Sequence, residues 1–185
     1  MSKGVRSLSS LPAFDKAGDL WVIIETPKGS SHKYDYDPDT DVFDLAKTLP
    51  EGMTFPYDFG FVPSTLADDG DPLDVLVLID QPAVTGCRLK TRLIGGILAE
   101  QRKDGEDWLR NDRLLAVVTH SHKHQAVHKL HDLRPGLLDE IVEFFAEYNK
   151  QEGRTFKTLG KCNENDARAL VEKGIKRFKK HTSAS

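Results

Sequence analysis

Long hydrophobic runs are missing from this chain. Nowhere in its 185 residues do 18 apolar residues stand in succession, so no segment reads as a membrane helix. The opening Met1-Ser2-Lys3-Gly4-Val5-Arg6 is not followed by an apolar signal core, and its glycine stands at position 4 rather than 2. Neither secretion nor myristoylation is therefore expected. Cysteine is scarce: Cys87 and Cys162 stand far apart, which predicts two reduced thiols with no shared job and a cytoplasmic location. Positive charge is not in surplus. A net charge of −3 leaves no electrostatic footprint for nucleic acid. Neither a P-loop nor a Gly-x-Gly-x-x-Gly fingerprint occurs, so nucleotide cradling of those kinds is unsupported. Internal repeats and low-complexity blocks are lacking as well.

What remains is 38% apolar and 30% charged, the balance of one well-solvated domain over 1–185 with a real core. Residues 1–18 read as a peripheral lead-in and 182–185 as a frayed tail. The middle is strand-rich. Leu20–Glu25 is apolar and β-branched, Lys33–Asp37 and Asp41–Leu45 flank the turn Pro38-Asp39-Thr40, and Val75–Ile79 and Leu114–Val118 read as buried strands. Gly86–Ala99 suits one long strand or two short ones. The last third turns helical. Pro135 near N1 opens a helix carrying Leu137, Leu138, Ile141, Val142, Phe145 and Tyr148, and Gly153 stops it. A second helix starts near Asn163 with Ala167, Leu170, Val171, Ile175 and Phe178 on one side. The Lys and Arg residues in its final turns favour a helix C-terminus. Strands first and helices after predict an α+β fold.

The chemistry concentrates in Asp69-Gly70-Asp71-Pro72-Leu73-Asp74, which runs straight into the strand at Val75. Three carboxylates this close repel one another unless a cation sits between them, and oxygen ligands suit a hard divalent ion such as Mg²⁺ or Ca²⁺. An EF-hand does not fit. Counting from Asp69, its glycine and glutamate positions hold Asp74 and Asp80, and a strand follows where a helix should. Other costly polar groups stand nearby in sequence: Glu25 ends an apolar strand, and Lys33 and Asp35 share one strand face. Phe55, Tyr57, Phe59 and Phe61 read as core aromatics that also wall a site from water. A second acidic stretch, Lys103-Asp104-Gly105-Glu106-Asp107, precedes Arg110-Asn111-Asp112-Arg113. Carboxylates for metals together with Lys and Arg for an anion are the equipment of phosphoryl chemistry. His120, His122, His124, His128 and His131 crowd into twelve residues. Without His-Glu-x-x-His they read as a polar helix start and exposed face rather than a transition-metal site.

The signature at 69–74 followed by Val75-Leu76-Val77 closely resembles that of the soluble family I inorganic pyrophosphatases. Glu25 after Val-Ile-Ile, Lys33-Tyr34-Asp35, Phe55-Pro-Tyr57-Asp-Phe59-Gly60 and Phe144-Phe145 with Tyr148 fall in the family's order. The resemblance covers roughly residues 18–180. It implies hydrolysis of pyrophosphate to two phosphates with Mg²⁺, for which Mn²⁺ or Zn²⁺ would substitute. It further implies a small five-stranded OB-like β-barrel packed by C-terminal α-helices, and a homo-oligomer, hexameric if of bacterial type. By the same resemblance Asp69 and Asp74 hold metal, Asp71 handles the nucleophilic water, and Glu25 and Asp35 are outer members of the cluster. Asp104 and Asp112 stand for the second acidic loop, although strict spacing from Arg113 would place Asn111 there instead. Lys33, Lys47, Arg113, Tyr148 and Lys150 would grip phosphate. Several positions depart from the pattern: Lys47 stands for an arginine, Phe55 and Phe59 for tyrosines, Asn149 for a lysine. Two other readings of the residues are a non-catalytic OB-type single-strand-binding module and a Ca²⁺-binding structural domain.

Overall fold

The computed structural model describes residues 7–183. The first six residues of the expected lead-in and the last two of the expected tail lie outside them. In chain order the elements are β1 (Leu20–Thr26), β2 (His32–Asp37), β3 (Val42–Thr48), β4 (Asp58–Val62), β5 (Leu73–Leu78), β6 (Arg88–Lys103), β7 (Leu109–Arg110), β8 (Arg113–Val118), α1 (Leu137–Gln151), β9 (Arg154–Cys162) and α2 (Glu164–Thr182). β2 and β3 pair as a hairpin of their own. The other strands form one sheet in the order β1-β4-β5-β8-β6-β7, with β9 beside β6, and β6 also pairing β1. β5 and β8 run parallel, Val75 opposite Leu114. This is a mixed α+β architecture, a large sheet with two helices.

β5 and β8 are apolar on both faces, which is why they read as unbroken hydrophobic runs. Val75, Val77, Leu114 and Ala116 join Val22, Ile24 and the α2 residues Ala167 and Val171 in one cluster. Leu76, Leu78, Leu115 and Val117 join Phe55, Phe59 and the α1 residues Ile141 and Phe145 in a second. Each such side chain contributes roughly 1.5–3 kcal/mol on burial, so the ends of β5 and β8 are rigid places to mount a site.

The structure departs from the sequence expectations in several places. The aromatic run at 55–61 runs into β4, where Gly60 is obligatory: a Cβ there would lie 1.9 Å from the Ile23 carbonyl oxygen. β9 lies between the two helices, so the order is not strands first and helices after. Its side chains are largely exposed, which leaves little hydrophobic periodicity to read, and it is held by pairing along the 16-residue β6. α1 begins at Leu137 behind Gly136, whose φ of 78° suits glycine, so Pro135 precedes the cap instead of occupying N1. Residues 7–18 are not merely peripheral. Ala13 is buried, its carbonyl accepts the Trp21 N–H at 2.8 Å, and the Ser64 N–H donates to the Ser9 carbonyl at 2.7 Å. Thr182, the first residue of the expected tail, belongs to α2. The His-rich segment forms turns, with only a short 3-10 turn at Leu130–Asp132. His124 and His128 therefore do not share a helix.

Candidate active site

The acidic loop joins β4 to β5. Thr65 closes its base, donating to the Val62 carbonyl at 2.6 Å and accepting the Leu73 N–H at 3.0 Å. Within the loop, the Ala67 N–H donates to the Asp71 carbonyl at 2.7 Å and the Asp71 N–H to Asp69 Oδ1 at 3.2 Å. Gly70 turns the chain with a φ of 92°. Asp74 follows as the second residue of β5. Because β5 and β8 are parallel neighbours, their starts lie side by side, and the Arg113 guanidinium at the start of β8 reaches both the Asp74 carboxylate and the Asn111 side-chain oxygen. Arg113 is only 5% exposed, yet its Nε finds no hydrogen-bond partner.

β1 adds Glu25. Ile24 pairs with Gly60 and Thr26 with Phe59, so Glu25 is the extra residue of a β-bulge, a device that re-aims a side chain. Its Oε1 accepts the Tyr36 N–H at 3.0 Å. From the hairpin come Lys33, whose ammonium donates to the Asp35 carboxylate, and Lys47, opposite Lys33 in register. α1 supplies Tyr148, with Lys47 Nζ 4.9 Å from its ring centroid and 2.6 Å from Glu152. Phe55 and Phe59, 5.7 Å apart between ring centres, wall the inner end. The resulting cleft has a volume of about 640 Å³ and is lined by Glu25, Lys33, Asp35, Lys47, Asp69, Asp71, Asp74, Arg113 and Tyr148 together.

Three expected site residues lie elsewhere. Side chains alternate across an extended segment, so Asn111 and Arg113 face the cleft while Asp112 turns away. Asp112 Oδ1 accepts the Ala99 N–H at 3.0 Å and Arg110 Nε at 2.6 Å. Asp104 is exposed at the turn after β6, outside the cleft lining. Lys150 is exposed and pairs with Glu147 at 3.2 Å; its neighbour Asn149 lines the cleft instead, donating to the Phe145 carbonyl at 2.9 Å. Sequence reasoning passed over Gln101, Glu152, Arg154, Phe178 and His181, which also line the cleft. Only the alternation at 111–113 offered a signal, and it pointed to Asn111.

The electrostatics fit a cation. Burial pushes the Glu25 carboxyl up to about 8. Burial, with the like charges of Asp74 and Asp71, lifts Asp69 to about 6. Burial also raises Asp74, outweighing the opposing pull of Arg113 and Lys33. Lys33 is lowered by burial, but Asp35 and Tyr148 more than reverse this, so it ends above the ordinary lysine value. Carboxylates whose charge is disfavoured in this way gain from a counter-ion, and an all-oxygen donor set suits a hard one. Among the described residues no three His, Cys, Asp or Glu side chains are clustered as a ready-made ion site. In the arrangement seen, Lys33 and Arg113 supply the countercharge to Asp35 and Asp74.

Fold and cleft together define an α+β protein that gathers carboxylates and cationic side chains in one place. Residues 22–179 match the model of the family described as inorganic pyrophosphatase. An inorganic pyrophosphatase of Nostoc is 41% identical over 172 residues, spanning 93% of this chain and 99% of that protein. One of Thermus thermophilus is 36% identical over 90% of this chain and 93% of its own length. The crystal structure of inorganic pyrophosphatase from Thermus thermophilus superposes with a TM-score of 0.84 at 35% identity, covering 94% of this chain and 99% of that one. A solved structure of inorganic pyrophosphatase from Helicobacter pylori gives a TM-score of 0.82 at 32% identity, covering 91% of this chain and 98% of that one. The chain belongs to the inorganic pyrophosphatase family.

Proposed function

We propose that this protein hydrolyses inorganic pyrophosphate to two phosphates with Mg²⁺, for which Mn²⁺ or Zn²⁺ substitutes. The observation that carries this reading is one cleft in which the acidic loop faces Lys33, Lys47, Arg113 and Tyr148. Asp69, Asp71 and Asp74, with Glu25 and Asp35 outside them, would hold the ions. Bound there, divalent ions would neutralise phosphate charge and acidify water toward neutral pH.

The chain's own residues do the rest. The Asp71 carboxylate takes a proton from the attacking water. Lys33 and Lys47 bind phosphoryl oxygens as point charges, whereas the Arg113 guanidinium lining the cleft offers a planar donor group. Burial holds the Tyr148 hydroxyl up to about 12, so it stays protonated and donates to the anion. Phe55 and Phe59 keep bulk water from the inner end. The pairing circuit β1-β4-β5-β8-β6 and back to β1 supports reading the sheet as a five-stranded OB-like barrel. Two free cysteines accord with a cytoplasmic location. The reading includes a homo-oligomer, a hexamer of bacterial type, for which exposed Leu45, Val84 and Leu159 offer apolar surface. Among the described residues no helix is long and apolar enough to cross a membrane, and a cleft lined by six carboxylates disfavours nucleic acid as the ligand.

Phosphate release from pyrophosphate with Mg²⁺ tests the proposal. Turnover should vanish with a chelator, return with Mg²⁺ and be suppressed by Ca²⁺. A folded, Mg²⁺-loaded sample that leaves pyrophosphate intact overturns it.

A further inference from the structure

The acidic loop is held from behind as well as from within. α2 crosses its back, and at the crossing stands Gly174, buried in the middle of the helix. The Gly174 carbonyl accepts the Leu66 N–H, from the first turn of the loop, at 3.1 Å. A Cβ on Gly174 would lie 2.9 Å from Leu73 Cδ1 and 3.2 Å from Thr65 Cβ. Those are the two residues whose hydrogen bond closes the base of the loop. Three residues further along α2, the Arg177 guanidinium pairs with the carboxylate of Asp68, the residue before Asp69. Glycine is a poor residue for a helix interior, and here its missing side chain is what lets helix and loop touch.

We propose that α2 is the positioning element of the acidic loop, with Gly174 and Arg177 as positioning residues that set the spacing of Asp69, Asp71 and Asp74. The inference rests on the reading above, in which those carboxylates take up divalent cations. Neither Gly174 nor Arg177 lines the cleft, so both act through the loop. Three anchors fix it: the Leu66 hydrogen bond, the glycine contact and the Asp68 ion pair. A carboxylate set fixed before the ion arrives loses less freedom on binding it than one that must be ordered by the ion.

The test uses the full chain and three variants, Gly174→Ala, Arg177→Met and Arg177→Lys. Each is measured for Mn²⁺ binding by calorimetry, for hydrogen exchange of the loop amides without metal, and for thermal midpoint. Alanine is the better helix former, but its Cβ would crowd Leu73 and Thr65, so a purely structural role for α2 predicts Gly174→Ala with a lower midpoint and unaltered Mn²⁺ affinity. Positioning predicts weaker Mn²⁺ binding and faster exchange at Leu66, beyond what any change in midpoint accounts for. Arg177→Met should weaken Mn²⁺ binding about two- to fivefold, the span of a partly exposed ion pair, and Arg177→Lys should restore most of it. Mn²⁺ affinity and loop exchange that match the parent in both Gly174→Ala and Arg177→Met overturn the inference alone. A parent protein that takes up no Mn²⁺ overturns the cation reading itself, and the catalytic purpose of the clamp with it.

Discussion

The two ends of β5 carry the same residue type in opposite states. At its start, burial raises the Asp74 carboxyl, and the loop before it carries Asp69, also raised. Just past its end, Asp80 is pulled down to about 2, by the Ser121 hydroxyl first and then by the His122 and Lys123 N–H groups, which donate at 2.8 and 3.1 Å. Two aspartates six positions apart have contrary environments. Asp80 is paid in hydrogen bonds for keeping its charge and fastens a turn. The loop acids crowd around space that a cation would fill. Residue identity did not decide this; the partners that the topology delivers to each strand end did.

Neutralising single acids breaks this comparison most directly. Asp71→Asn should lower turnover of pyrophosphate by about 10²–10⁴-fold, the usual worth of a positioned general base, with the thermal midpoint nearly kept. Asp104→Asn, equally acidic in sequence but exposed at the turn after β6, should leave turnover within about twofold, since surface changes away from a site seldom matter. Phosphate-release assays on the two variants side by side decide it. Equal effects would mean that the wrong acidic turn has been placed at the cleft.

Next in size comes the pair that joins β5 to β8. Arg113→Met leaves Asp74 without the guanidinium beside it. Breaking a buried pair from one side costs about 3–5 kcal/mol, and the lower end applies because the Asp74 side chain is 22% exposed. Thermal or denaturant unfolding without metal should show that loss, and added Mg²⁺ should recover part of it by supplying the missing countercharge. A variant as stable as the parent in both conditions would show that Asp74 does not depend on Arg113.

Much of this arrangement is legible in the sequence where one local pattern determines one outcome. The acidic loop, the hairpin of β2 and β3, the buried runs of β5 and β8 and the Asn163 cap of α2, whose Oδ1 accepts two N–H groups at 2.9 Å, all follow from short-range chemistry. Elsewhere the deciding contact is distant. β9 exists because β6 is long enough to pair it, and nothing within Arg154–Cys162 announces this. Asp112 and Asn111 differ by one position, yet the pleat sends one to Arg110 and the other to Arg113. The density of acids around 104–112 suggests carboxylates at the cleft, while the strand period turns Asn111 toward it. The His-rich run looked helical by its i, i+4 spacing, but Asp80 ties its first residues into turns, a contact spanning more than forty positions of chain.

The smallest effect concerns that tie. Asp80 in the folded protein titrates near 2, against about 3.9 in an unfolded chain. A carboxylate depressed on folding stabilises the fold at every pH above its unfolded value, and its contribution fades as pH falls from about 4 toward 2. Asp80→Asn should therefore lower the thermal midpoint at neutral pH. It should also flatten the part of the midpoint's pH dependence that lies between pH 4 and pH 2. Turnover at neutral pH should stay close to that of the parent, because Asp80 is not among the residues lining the cleft. Metal-free thermal scans across that pH range provide the measurement. If parent and variant lose stability along the same curve, Asp80 is not the acid that fastens the turn. If turnover falls as steeply as it does for Asp71→Asn, the division between the two ends of β5 into a reactive end and a fastening end fails.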